Sequence, residues 1–177
     1  MIVEEKYNIE KHFLIVDSIE VYPEEESLKD YLLMEAHLDI NNHLTQSYLL
    51  FDVQDEKKTL IGYYTLRTFG FAIKESSDNR LHYYPCVELS QLLVDINHRN
   101  MGAGRIMINS ALNKANNISN IAGCKLLVAF SLNDKSTSFY KNVGFINYEP
   151  YEGDEKNLLL SETGYHDGLP ILGIEIS

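Results

Sequence analysis

The chain has 177 residues, enough for one domain with a continuous core, and carries a formal net charge of −11. No apolar stretch approaches the roughly 20 residues of a membrane span, and Met1-Ile2-Val3-Glu4-Glu5-Lys6 is too polar for a signal peptide, so a cytoplasmic protein without a membrane partner is expected. The excess carboxylates repel nucleic-acid phosphates and attract amines or basic peptides, which tilts the choice of partner away from nucleic acid.

In chain order, His12-Phe13-Leu14-Ile15-Val16, followed by Ile19 and Val21, reads as a first strand ended by Pro23-Glu24-Glu25-Glu26. Ser27 is a plausible N-cap for a helix bearing Leu28, Tyr31, Leu32, Glu35, Ala36 and Leu38 at helical spacing, closed by Asn41-Asn42. Two apolar runs, 48–53 and 60–66, around the charged turn 54–58 predict an antiparallel hairpin. Residues 75–80 read as a surface loop. The run from Val87 to Val94, with Leu89, Leu92 and Leu93 between them, reads as a central strand covered on both faces. A helix with the stripe Ile106, Met107, Ile108, Ala111, Leu112 and Ala115 begins after Gly102, is weakened at Asn116-Asn117 and ends by Gly123. A strand at 125–130, a short helix from Asn133-Asp134, a closing strand at 145–148, an acidic loop at 150–156 and a last edge strand at 169–176 complete the pass; Pro170 is tolerated at an edge. The fold class is α/β (α+β), a single domain with a mixed central sheet flanked by helices. Cys86 and Cys124 each sit alone in an apolar run, which reads as buried thiols. The histidines show no metal-type pairing, so no metal is expected.

The most informative passage is Arg99-Asn100-Met101-Gly102-Ala103-Gly104-Arg105, between the apolar strand and the long helix. Glycines let the backbone approach an anion closely, and successive N–H groups at a helix start point at it. Arg99 and Arg105 would add charge-assisted hydrogen bonds from the rim. A P-loop is excluded because Arg105-Ile106 stands where Lys-Ser/Thr is needed. A dinucleotide fingerprint is excluded because the third glycine and the following acidic residue are missing.

Leu92-Leu93-Val94-Asp95 followed by Arg99-x-x-Gly102-x-Gly104 resembles the coenzyme A loop of the GNAT (GCN5-related) N-acetyltransferases, Arg/Gln-x-x-Gly-x-Gly/Ala. Asn133, followed at seven residues by Tyr140 within Phe139-Tyr140-Lys141-Asn142-Val143-Gly144-Phe145, resembles that family's Asn-x-x-Ala-x-x-Phe-Tyr-x-x-x-Gly-Phe segment, with Ser136 at the usual Ala position. The likeness covers residues 85–148 well and 28–70 loosely. It implies acetyl-CoA as cosubstrate, with the strand end Leu92, Leu93 and Val94 receiving the pantetheine arm through the backbone of Leu92 and Val94. The amides of Arg99, Asn100, Met101, Gly102, Ala103 and Gly104 would hold the pyrophosphate with Arg105 at its rim, and Asn133, with Ser136 beside it, would meet the pantetheine or thioester end. Asn100 departs from a common Gly, mildly, since Asn tolerates unusual backbone angles.

Acetyl transfer needs a neutral amine against the thioester carbon, a stabilised oxyanion and a proton for the departing thiolate. Tyr140 is the candidate general acid, its phenol comparable to a thiol leaving group. The backbone N–H of Val94 or a neighbour is the candidate oxyanion donor. Glu88 could take the amine proton directly or through water, and Glu35 is a second candidate. The expected acceptor is a primary amine of a small molecule or protein. Residues 61–66, 122–128 and 139–140 also resemble the GNAT toxins that acetylate aminoacyl-tRNA; the −11 charge counts against that acceptor without excluding it. A non-catalytic acyl-CoA-binding regulator and a homodimer are both compatible with the resemblance.

Overall fold

Asn8 decides the first departure from that reading. Its side-chain oxygen accepts the Lys11 amide at 3.0 Å, capping α1 (Ile9–Asp17) where a strand was expected at 12–16. His12 and Val16, four residues apart, are buried, whereas Leu14 between them is 83% exposed, so the apolar run has helical rather than strand periodicity. The first strand lies earlier, at β1 (Ile2–Lys6), which pairs antiparallel with β2 (Gln46–Gln54).

The structure, a computed structural model, describes residues 1–55, 57–74, 81–148 and 169–176. The expected loops at 75–80 and 150–156 lie outside the described residues.

The helical segment predicted after Ser27 starts earlier, at a 3-10 turn (Pro23–Glu25) that Pro23 opens and Glu25 caps, its carboxylate accepting the Tyr22 amide at 3.3 Å. It continues through α2 (Glu26–Asp30), a π turn (Tyr31–Glu35) and α3 (Ala36–Asn41). Tyr31, Leu32 and Ala36 are buried as the spacing predicts; Leu38 is exposed, because the extra residue of the π turn rotates the stripe. The hairpin forms as expected between β2 and β3 (Lys57–Lys74), closing at Gln54↔Lys57, although β3 runs well past residue 66.

β4 (Leu81–Val94) is followed by α4 (Ala103–Ala122), then β5 (Leu126–Phe130), α5 (Asp134–Asn142), β6 (Ile146–Tyr148) and β7 (Ile171–Glu175). α4 continues through Asn116-Asn117; of its expected stripe, Met107, Ile108, Ala111 and Ala115 are buried and Ile106 is 39% exposed. The mixed seven-stranded sheet has the order β1-β2-β3-β4-β5-β7-β6, with β4 and β5 parallel over Cys86–Glu88. β7 is therefore not the edge strand predicted: it pairs antiparallel with both β5 and β6. Pro170 falls just before the first paired residue, so its missing N–H interrupts nothing, and its carbonyl accepts the Ser131 amide.

Two compact units divide the chain: Met1–Arg67 with Leu89–Ser110, and Thr68–Glu88 with Ala111–Ser177. The core of the first gathers Val16, Ile19, Leu32, Ala36, Leu49, Phe51, Tyr63 and Leu93. In the second, Cys86, Leu126 and Val128 pack with Phe69, Tyr84 and Tyr148, and both cysteines are buried free thiols. Among the described residues, no helix is long and apolar enough to cross a membrane.

Candidate active site

The end of β4 is fixed from three directions by Asp95, which is 4% exposed. Its Oδ2 accepts the Glu20 amide at 2.8 Å; its Oδ1 accepts the Asn97 amide at 2.9 Å and meets His98 Nδ1 at 2.8 Å. Burial alone would raise the Asp95 carboxyl, but the Glu20 amide, the His98 ring and the Asn97 amide hold it below its ordinary value. The Asp95 amide donates to Ile61 O in β3 at 3.0 Å. Since successive peptide groups alternate along a strand, the N–H groups of Leu92 and Val94 face away from β3. Leu93, between them, is buried in the core.

Beyond a 3-10 turn (Ile96–His98), the chain makes the glycine turn. Asn100 has φ 60° and Gly102 φ 89°, so both motif positions adopt backbone that ordinary side chains resist. The first helical bond of α4 runs from the Ile106 amide to Gly102 O at 3.0 Å. The amides of Ala103, Gly104 and Arg105 therefore precede the hydrogen-bonded ladder, at the positive end of a 20-residue helix with no acidic residue in its first turn. A Cβ at Gly102 would meet nothing within 4 Å, so a bulky ligand can approach the turn there. Met101 is 73% exposed, and Asn100 and Arg105 are also exposed.

Arg99 differs from the expectation. Its Nε and Nη2 both donate to Val94 O at 3.2 Å, it pairs with Glu25, and it stands 4.7 Å over the Tyr22 ring. The charge expected at the phosphate rim is thus engaged by its own neighbours.

Of the remaining candidates, Glu88, Asn133, Ser136 and Tyr140 belong to the second unit. Asn133 is the N-cap of α5: its side-chain oxygen accepts the Ser136 amide at 2.9 Å, and Ser136 Oγ accepts the Asn133 amide at 3.2 Å, a reciprocal capping pair. Capping uses the side-chain oxygen of Asn133 and leaves its NH2 group available. Ser131 braces the cap at 2.7 Å from both Ser136 and Thr137. Tyr140 is 7% exposed, its ring 5.4 Å from Phe139 and 5.3 Å from Phe145, and burial pushes its phenol above the ordinary value, so it stays protonated at neutral pH. Glu88 is fully buried on β4 opposite Val128. Glu35, the other base candidate, is exposed in the π turn of the first unit.

Sequence reasoning missed Asp95 as an anchor, although an Asp before a turn, accepting the amide two residues on, is a recognisable signal. It also missed Tyr22 and Glu25. Their contacts with Arg99 join positions 74 residues apart or more, for which local spacing holds no signal.

A mixed sheet carrying a strand–turn–helix cradle of main-chain amides is an arrangement suited to a phosphorylated ligand. The sequence pattern of the acetyltransferase (GNAT) family matches residues 11–145, and the chain belongs to that family. No curated protein sequence matches it. Solved structures with the same fold include a mutant of the AtaT toxin, 20% identical with a TM-score of 0.77 over 99% of this chain and 89% of that one. A mutant of KacT is 18% identical with a TM-score of 0.76, covering 99% and 95%. AtaT complexed with acetyl-methionyl-tRNAfMet is 23% identical with a TM-score of 0.74, again covering 99% and 95%.

Proposed function

We propose that this acetyltransferase moves the acetyl group of acetyl-CoA onto the α-amino group of an amino acid esterified to tRNA. The cradle supports the cosubstrate: positive φ at Asn100 and Gly102 delivers the amides of Ala103, Gly104 and Arg105 together at a helix N-terminus. For the acceptor, the observation that carries the reading is a fold shared over nearly the whole chain with a protein complexed with acetyl-methionyl-tRNAfMet.

In this reading the amides at the head of α4 hold the diphosphate, and Leu92 and Val94 offer main-chain groups to the pantetheine arm. Val94 O already accepts from Arg99, which leaves the Val94 N–H for the arm or for the developing oxyanion. The NH2 group of Asn133 is free of its capping duty and supplies a further donor. Bound acetyl-CoA supplies an activated acyl group. As the amine nitrogen bonds to the carbonyl carbon, Tyr140 gives its proton to the departing sulfur, and Glu88 or Glu35, directly or through water, removes the proton from nitrogen. Holding both reactants supplies about 7–11 kcal/mol of the barrier, more than any one of these groups.

A second reading, a small cationic amine or a protein amine as acceptor, is favoured by charge. Asp17, Glu20, Glu24, Glu25, Glu26, Asp30, Glu35 and Asp39 face only Lys29 across that stretch of sequence, and the net charge is −11. Such a field attracts an amine and repels a phosphate backbone. Free-thiol release from acetyl-CoA, measured with charged tRNA, free amines and peptides in parallel, decides between them. Turnover with charged tRNA supports the first reading, and turnover confined to amines or peptides supports the second. Binding of acetyl-CoA with no turnover on any acceptor overturns both.

A further inference from the structure

Arg99 opens a turn shaped for an anion, yet its guanidinium is held by its own neighbours. Both Nε and Nη2 donate to Val94 O at 3.2 Å, a Glu25 carboxylate oxygen pairs with Nη2, and the Tyr22 ring lies 4.7 Å beneath. That same carboxylate oxygen accepts the Tyr22 amide at 3.3 Å, so one atom of Glu25 ties its own turn to Arg99. The two side chains are 18% and 25% exposed. Five residues earlier, Glu20 is fixed to the same loop: its amide donates to Asp95 at 2.8 Å, its carbonyl accepts the Ile96 amide at 2.9 Å, and its carboxylate accepts from Asn97 at 3.2 Å. Segments 20–25 and 94–99 are thus joined at both ends.

We propose that Arg99 and Glu25 are a pair of positioning residues for the acetyl-CoA cradle, and that Arg99 is not a phosphate ligand. The proposal rests on the acetyl-CoA reading above. A guanidinium already neutralised by a carboxylate adds little attraction for a diphosphate, and leaving Glu25 to reach one would strand a second anion beside it. What the pair contributes is geometry. By holding Val94 O, Arg99 fixes the orientation of the last peptide of β4, and with it the start of the turn, so that binding does not have to order the loop.

The two roles give opposite signs for Glu25. If Arg99 binds phosphate, removing the charge of Glu25 releases Arg99 and takes away a nearby repulsion, so Glu25→Gln binds acetyl-CoA as well as the parent or better. If the pair positions the loop, Glu25→Gln weakens acetyl-CoA binding by roughly threefold to tenfold, although it removes a negative charge. Arg99→Gln then costs about the same, the double variant costs no more than either single one, and Arg99→Lys fails to rescue because a lysine cannot reproduce the fork to Val94 O and Glu25. Calorimetry with acetyl-CoA on these variants reads the difference. Unchanged or tighter binding by Glu25→Gln, or recovery by Arg99→Lys, overturns the proposal. Amide hydrogen exchange of the ligand-free protein is independent of the cofactor. Faster exchange at residues 20–25 and 94–102 in both single variants supports the pairing, and unchanged exchange overturns it. If the parent protein binds no acetyl-CoA, the functional reading falls, and the exchange experiment still decides the pairing.

Discussion

Asp95 Oδ2 accepts the backbone amide of Glu20 at 2.8 Å, closing a loop of 75 residues at the point where β4 ends. With the Asn97 amide and His98 on its other oxygen, this buried carboxylate is the hub of the strand end that leads into the glycine turn. Asp95→Ala would leave partly buried donors without their partner, at a cost of about 1–2 kcal/mol. Chemical denaturation of the variant checks this, and a loss under 1 kcal/mol would mean that water replaces the carboxylate readily.

Gly62 in β3 faces the same strand end. A Cβ there would lie 2.5 Å from Leu93 O, 3.0 Å from Met107 Cε and 3.3 Å from Val94 Cα. The methionine can move, but the carbonyl of a core strand cannot do so without displacing β4. Gly62→Ala is expected to cost about 3 kcal/mol and to weaken acetyl-CoA binding, because Val94 shifts with Leu93. A variant of parental melting temperature and affinity would contradict this packing.

Acid should weaken the fold through Glu5. Lys11 at 2.9 Å, then Lys58 and His12, hold its carboxyl at about 2 against an ordinary 4.5. The folded-state value lies below the unfolded one, so the stabilisation is whole above about pH 4.5 and is lost as pH falls toward 2. After solvent screening it is worth about 1 kcal/mol. His12 acts in the same direction. Burial lowers its pKa against the opposing pull of Glu5, and its Nδ1 accepts the Asn8 amide at 3.0 Å, so proton uptake favours the unfolded chain as pH drops below 6.5. Urea denaturation at pH 7 and pH 3.5 should show a smaller acid loss for Glu5→Gln than for the parent.

What the sequence made legible was whatever depends on local periodicity or on backbone chemistry. The hairpin, α4 and the positive φ at Asn100 and Gly102 follow from residues within a few positions of one another. The run at 12–16 misleads because His12 followed by four apolar residues satisfies strand and helix alike, and the cap at Asn8 separates them. The place of β7 was hidden because it depends on pairing with β5 and β6, distant in sequence. At the candidate site, the helix start at Asn133-Asp134 is legible in the sequence, whereas the reciprocal cap between Asn133 and Ser136 and the engagement of Arg99 by Glu25 and Tyr22 are not.

Tyr140→Phe separates packing from chemistry at α5. The ring contacts with Phe139 and Phe145 survive the change, and only the hydroxyl is lost. Acetyl-CoA affinity is expected to stay within about twofold, while turnover falls by roughly 10²-fold or more if the phenol protonates the thiolate. Steady-state kinetics beside calorimetry reads both quantities, and equal turnover removes the acid role.

Gly102 offers the most direct test of the cradle, because two substitutions there differ in charge but share the backbone strain. At φ 89° any side chain is resisted, yet a Cβ would meet nothing within 4 Å, so Gly102→Ala costs about 1–2 kcal/mol and weakens acetyl-CoA binding only in proportion. Gly102→Asp carries the same strain and adds a carboxylate beside the amides of Ala103, Gly104 and Arg105, where it competes for the helix N-terminus and repels a diphosphate. Binding should therefore be abolished in Gly102→Asp and retained in Gly102→Ala, with circular dichroism confirming that both fold. Equal affinities in calorimetry would mean that no anion sits at this turn, and the coenzyme would have to be held elsewhere.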